Sequence, residues 1–172
     1  MRSLTLAPLL LLLLSPASAQ DGPEARLQGA WTCTSVSTAR QGRDRAIDSA
    51  TDDMSILIRG IARRRLRDEM PIASRIQVSG SGSSFRAHVG AYHLDFAADG
   101  RSHPFTDPFD NEMRAKQRFR SGKLVQTMTS DDATLTHSLS LSDDGATLTL
   151  TVKIESHHLP GDVLFHVRYR RA

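Results

Sequence analysis

The chain has 172 residues, with 22 lysines and arginines against 19 aspartates and glutamates, for a formal charge of +3. So slight an excess excludes a polycation that neutralises nucleic acid or a membrane by bulk charge. A single cysteine, Cys33, excludes an internal disulfide, so stability must come from a packed core.

Residues 1–19 come first. Arg2 precedes an apolar run from Leu4 to Leu14, and Ala17-Ser18-Ala19 is a small-residue cleavage pattern. Together they read as a secretory signal peptide cleaved after Ala19. The run is shorter than the roughly 20 apolar residues a membrane span needs, and no transmembrane segment is expected elsewhere. Cleavage removes Arg2, lowers the charge to +2 and leaves Gln20 rather than a cysteine at the front, so no lipid anchor is expected. The expected compartment is extracytoplasmic, either periplasmic or secreted. Residues 20–172 read as one domain, whose roughly 150 residues can bury about 68–70% of the unfolded chain's surface.

The first strand reads as QGAWTCTSVS (28–37), with Trp31, Cys33 and Ser35 on one face. Cys33 there is expected to act as a small buried hydrophobe. A helical insert follows over about 44–68. Ile47, Ala50, Met54, Leu57, Ile58 and Ile61 recur at three- and four-residue intervals as one apolar stripe. Asp44, Asp48, Asp52 and Asp53 precede Arg59, Arg63, Arg64, Arg65 and Arg67, a polarity that matches the helix dipole. Gly60 weakens the middle, so two short helices fit as well as one, and Pro71 ends the segment. The arginines read as a solvated face; contact with an anionic surface and recognition of an anionic headgroup are the alternatives. Nucleic-acid binding is not expected, because no aromatics interleave with them.

From Arg75 onward the period is two. In 147–155, Leu148, Leu150, Val152 and Ile154 oppose threonines, Lys153 and Glu155. In 133–141, Leu135, His137, Leu139 and Leu141 oppose Thr134, Thr136, Ser138 and Ser140. In 163–171, Val163, Phe165, Val167 and Tyr169 oppose Leu164, His166, Arg168 and Arg170. In 113–119, Met113, Ala115, Gln117 and Phe119 oppose Arg114, Lys116 and Arg118. Turn sequences separate these runs, among them GSGS (80–83), DDG (143–145) and LPGD (159–162), while 102–112 reads as irregular. The count is about nine antiparallel strands in an up-and-down β-barrel, within a range of 8–10.

At this point the chain resembles the calycins, the lipocalins and fatty-acid-binding proteins, as a small bacterial-type lipocalin-like barrel. The resemblance rests on Gly29-Ala30-Trp31, the hairpins over 75–171 and the closing Tyr169-Arg170-Arg171. It implies that Trp31 seals the barrel base beneath Arg170 or Arg171. The insert after the first strand is more like the fatty-acid-binding proteins, whereas the leader is more like the lipocalins. The lipocalin T-D-Y motif and disulfide cysteines are absent, and the fatty-acid carboxylate clamp does not map.

No catalytic motif occurs, neither G-x-S-x-G, H-E-x-x-H, paired cysteines nor a phosphate loop, so no enzyme, cofactor or metal is expected. His157 and His158 are adjacent, so on an extended chain they point apart and read as a solvated loop. His137 lies on an apolar face, where it is either a satisfied core group or a polar anchor in a ligand cavity. Gln117, Gln126, Tyr92 and Tyr169 are the other lumen candidates. The leading expectation is a non-enzymatic carrier of a small hydrophobic ligand. The alternatives are a filled barrel with a basic interaction surface and, more weakly, a haem-binding barrel that uses His137.

Overall fold

The computed structural model describes residues 23–80 and 85–172; the predicted leader and the GSGS turn lie wholly or mostly outside them. A short helix, α1 (Pro23–Leu27), leads into β1 (Gly29–Cys33). Two helices follow, α2 (Val36–Ala50) and α3 (Ile56–Glu69). The remaining strands are β2 (Arg75–Ser79), β3 (Arg86–Val89), β4 (Tyr92–Leu94), β5 (His103–Thr106) and β6 (Glu112–Arg120), then β7 (Lys123–Thr129), β8 (Ala133–Leu141), β9 (Thr147–Ser156) and β10 (Val163–Arg171). Ten antiparallel strands thus form one strongly curved sheet, a half-barrel with a helix-turn-helix insert after its first strand.

The sheet order is β4-β3-β2-β1-β10-β9-β8-β7-β6-β5, so every neighbour is consecutive in sequence except the pair joining the first strand to the last. In that seam Trp31 stands opposite Arg171 and Cys33 opposite Tyr169. No ladder joins β4 to β5. Instead, Gln117 and Gln126 on β6 and β7 reach across the interior. Gln126 Nε2 donates to the Ala87 carbonyl at 2.9 Å, and Gln117 Nε2 donates to the carbonyls of Phe85, at 3.2 Å, and Phe96.

Alternation sets the burial of the long strands. Val163, Phe165, Val167 and Tyr169 are buried on β10, as are Leu148, Leu150 and Val152 on β9 and Leu135, His137 and Leu139 on β8. On β7 the inward residues are Leu124, Gln126 and Met128, and Val125 is half-buried. The extra strand relative to the expected nine is β5, which lies within the stretch read as irregular. It is short, carries Pro104 and occupies the sheet edge, the one place where a missing N–H costs no ladder bond.

The helical insert departs from the sequence reading in three ways. It starts at Val36 rather than near Asp44, because the Ser35 hydroxyl accepts from the Thr38 N–H and caps the helix; β1 ends at Cys33, and Ser35 is not on its face. The break between helices falls at residues 51–55, not at Gly60. Third, the apolar stripe splits. Ile47 and Ala50 are buried, but Ile56, Leu57, Ile58 and Ile61 are solvent-exposed, and α3 buries no residue.

Charge explains that inversion. Arg59, Arg63 and Arg67 recur every four residues on α3, and Asp48 and Asp44 do so on the antiparallel α2, with Asp52 continuing the spacing into the turn between the helices. They mesh: Arg59–Asp52 at 3.6 Å, Arg63–Asp48 at 3.1 Å, and Arg67 with Asp48 at 3.1 Å and Asp44 at 3.5 Å. These three arginines therefore face the other helix. Arg64 and Arg65 point outward and pair along their own helix with Asp68 and Glu69.

The base of the barrel is closed by Trp31, fully buried, with the Arg171 guanidinium 4.5 Å from the ring centroid. Its indole N–H donates to Leu27 O at 2.9 Å, which ties α1 beneath the sheet. Arg171 also donates to the carbonyls of Gln28 and Arg26, at 3.0 and 2.8 Å. Gly29 has φ +120°, and a Cβ there would lie 3.1 Å from Arg171 Nη1, which is why a glycine stands two residues before the tryptophan. Arg171→Met should lower unfolding stability by about 1–3 kcal/mol through loss of the cation–π contact and the carbonyl bonds. Arg170→Met, at an exposed site, should change it by less than about 0.5 kcal/mol. Urea midpoints of the two variants would check this, and equal effects would refute the assignment.

Candidate functional site: a small cavity beside His137

The inward faces of β8, β9 and β10 do not fill the whole interior. Leu135, Leu150, Val152, Phe165 and Val167 form one wall of a cavity of about 220 Å³. The other wall comes from the end of α3 and the segment after it, Glu69 to Ser74, and from the β3–β4 turn with Val89 and Tyr92. A buried arginine fixes that second wall. Arg43 occupies a position on the buried face of α2, between Ala39 and Ile47, and donates to the carbonyls of Met70 and Arg67 at 2.9 and 3.2 Å. A cation at those carbonyls satisfies the end of α3 and opposes its dipole. Arg43 escaped the sequence reading, although a charge at an apolar-periodic position was a readable signal.

The cavity contains two of the predicted lumen residues. His137 is 4% exposed, and its Nδ1 has no hydrogen-bond partner. Burial alone pushes its pKa down from 6.5 to about 4, so the ring is neutral at ordinary pH. Tyr92 stands edge-on to it, with ring centroids 5.3 Å apart. Burial, assisted by Asp107 and Glu69, raises the Tyr92 pKa to about 12 and keeps the phenol protonated.

Gln117, Gln126 and Tyr169 do not line this space. Both glutamine NH2 groups are committed to the backbone carbonyls described above, although Gln126 Oε1 is buried without a partner. The Tyr169 hydroxyl donates to Ala73 O at 3.0 Å and anchors the segment behind the cavity wall, and burial raises its pKa. Their inward direction follows from alternation. Their use is structural, because the collapsed β3 side of the barrel brings backbone carbonyls within their reach. The space beside His137 is also far too small for a haem macrocycle.

Helix α3 contributes its last residue, Glu69, to the cavity wall. Its contact with α2 combines partly exposed ion pairs, each contributing about 0–1 kcal/mol and screened by salt, with hydrogen bonds from Arg43 to Arg67 O and from Arg63 to Asp48 O, and α3 itself has no buried residue. Amide hydrogens of α3 should therefore exchange faster than those of α2, and faster still in high salt. Protection of α3 equal to that of β8 and β9 would contradict this.

The neutral buried histidine has its own signature. Its pKa is lower folded than unfolded, so the unfolded chain binds the extra proton as pH falls from 6.5 towards 4, and stability drops across that window. The loss amounts to at most about 3 kcal/mol. His137→Leu should remove that component, so the difference in urea stability between pH 7 and pH 4.5 should be smaller in the variant. An equal difference would mean that the imidazole is hydrated in the folded state.

No protein-family model matches the sequence, and no curated protein matches it. Solved structures do match in fold. Fatty-acid-binding protein 1 of Echinococcus granulosus superposes with a TM-score of 0.54 at 12% identity, over 86% of this chain and 98% of its own. A fatty acid binding protein of Schistosoma mansoni, solved in complex with arachidonic acid, gives 0.53 at 15% identity, over 88% and 99%. A secretary abundant heat soluble protein of Ramazzottius varieornatus gives 0.54 at 15%, over 86% and 96%. The chain thus shares the calycin-like barrel fold of these proteins. At these identities the likeness is one of fold.

Proposed function

We propose that this protein is an extracytoplasmic, non-enzymatic carrier that takes a small, uncharged, largely apolar molecule into the cavity beside His137. One observation carries the reading: a buried imidazole nitrogen without a partner, lining a mostly apolar space. Such an orphan costs about 1–3 kcal/mol, which a ligand group bonded to it recovers. Tyr92 supplies a second polar point. The fatty-acid-binding names among the structural neighbours agree with a hydrophobic guest, and residues 1–19 support export.

The chemistry of the walls narrows the guest. Among the described residues, no lysine or arginine lines the cavity, and His137 resists protonation. An ionised carboxylate would therefore be buried without a counter-ion, at a cost of several kcal/mol. A hydroxyl or carbonyl fits better. At about 220 Å³ the space lies below the roughly 300–1,000 Å³ of drug-sized pockets but above the 150 Å³ that hosts a benzene, so it suits one ring or a short branched chain.

Native mass spectrometry of protein purified from its own host should show a bound small molecule and a chain beginning at Gln20. With purified protein, phenol should raise the melting temperature while benzoate should not. His137→Leu should weaken phenol binding about tenfold, which is 1.4 kcal/mol. A chain that carries nothing and gains no stability from either probe would overturn the reading.

A further inference from the structure

We propose that Asp132, His157 and His158 form a binding site for a borderline divalent transition-metal ion, of which Zn²⁺ is the representative. This site is separate from the cavity and independent of the carrier reading.

The β8–β9 ladder pairs Ala133 with Ser156, so the residue before one strand and the residues after the other meet on the same rim. His157 and His158 leave the strand and enter a turn, so their side chains do not diverge as they would in extended chain. The rings lie with centroids 3.9 Å apart, inclined at 46°. Asp132 Oδ1 faces both of them, 3.3 Å from His158 Nε2 and 4.0 Å from His157 Nε2. One ligand atom from each residue lies within 4.8 Å of the other two. In a tetrahedral site with metal–ligand bonds of 2.0–2.1 Å, two ligands stand about 3.3 Å apart. One edge of such a site is already present, and the others need under about 1.5 Å of movement from exposed side chains.

The frame beneath the cluster is fixed by a group that takes no part in ligation. The Ser156 hydroxyl donates to the Asp132 carbonyl at 2.8 Å and accepts from the His158 N–H at 3.2 Å, tying the two loops together. The local charge also suits a cation. Glu155 and Asp162 share the groove but are engaged by Lys153 at 2.7 and 3.0 Å, while Asp131 adds a further negative charge nearby. A second histidine pair, His88 and His93, is stacked and spent differently: His88 bonds Asp95 at 2.8 Å and His93 meets the Gly90 carbonyl at 3.2 Å.

Two imidazoles and one carboxylate select among metals. Calcium and magnesium require shells of oxygen ligands that a single carboxylate does not provide. Imidazole suits zinc, copper and nickel. Three protein ligands leave the fourth position to water, so the site is a labile one on the helical rim. There the β9–β10 turn packs against Ala50, and Asp132 exerts its charge on Arg65 of α3.

The test is calorimetric titration of the full chain, untagged and stripped with chelator, with zinc sulfate at neutral pH. Saturable one-to-one binding is expected, unaffected by excess Mg²⁺. Asp132→Asn or either single His→Asn substitution should weaken it roughly tenfold or more. The His157→Asn, His158→Asn pair should abolish it, and His88→Asn, His93→Asn should leave it intact. Urea midpoints of the variants control for folding. Electron paramagnetic resonance of the Cu²⁺-loaded wild-type chain gives an answer that needs no variant, because two coordinated imidazoles should appear in the nitrogen hyperfine structure. Unsaturable binding, binding that survives the double histidine substitution, or a copper spectrum lacking two imidazoles would overturn the proposal.

Discussion

The structure depends on the seating of the first strand between β2 and the last strand. Apart from β1 and β2, which the helical insert connects, the other neighbours in the sheet are joined by hairpins, so local turn chemistry suffices to pair them. The β1–β10 pair spans the whole domain and must find its register without a turn. Trp31 and Arg171 sit opposite each other in that register, and the cation over the indole, the indole N–H on Leu27 and the guanidinium bonds to α1 all converge there. A one-residue slip would turn Trp31 outward and separate it from its arginine. The same clamp also ties the N-terminal helix beneath the sheet.

Curvature follows from that closure, and the interior is filled unevenly. On the β3 and β6 side, Phe85 and Phe119 pack edge to face with ring centroids 4.8 Å apart, and two buried glutamines bridge to backbone carbonyls. On the β8–β10 side Leu135, Leu150, Val152, Phe165 and Val167 do not meet the opposite wall, and a cavity remains. The end of α3 contributes Glu69 to its lining, and Arg43 pins that end through the carbonyls of Arg67 and Met70.

Much of the barrel was legible because antiparallel strands with one wet face alternate cleanly; β8, β9 and β10 follow the pattern almost residue by residue. The edge strand β5 was not, since its proline and brevity resemble a loop. Periodicity identified the apolar stripe of α3 correctly but could not say which way it faced. That depended on the four-residue ladders of arginine and aspartate, whose meaning appears only once the two helices lie antiparallel. Alternation also put Gln117, Gln126, Tyr92, His137 and Tyr169 inward, and only the two beside open space remain candidates for a ligand. Distinguishing a spare polar group from a committed one requires knowing which carbonyls are near, which no one-dimensional pattern contains. The histidine pair on the β9–β10 turn was expected to point apart, and it does not for a related reason: side-chain direction in a turn does not follow strand rules.

The central claim is that His137 Nδ1 is held without a protein partner so that a guest can bond to it. The most direct measurement is a high-resolution crystal structure of the protein isolated from its own host. The account predicts density for a compact, mostly apolar molecule between Phe165 and Tyr92, with one oxygen or nitrogen at hydrogen-bonding distance from that ring nitrogen. Density for ordered water alone, bridging His137 to neighbouring backbone, would contradict it.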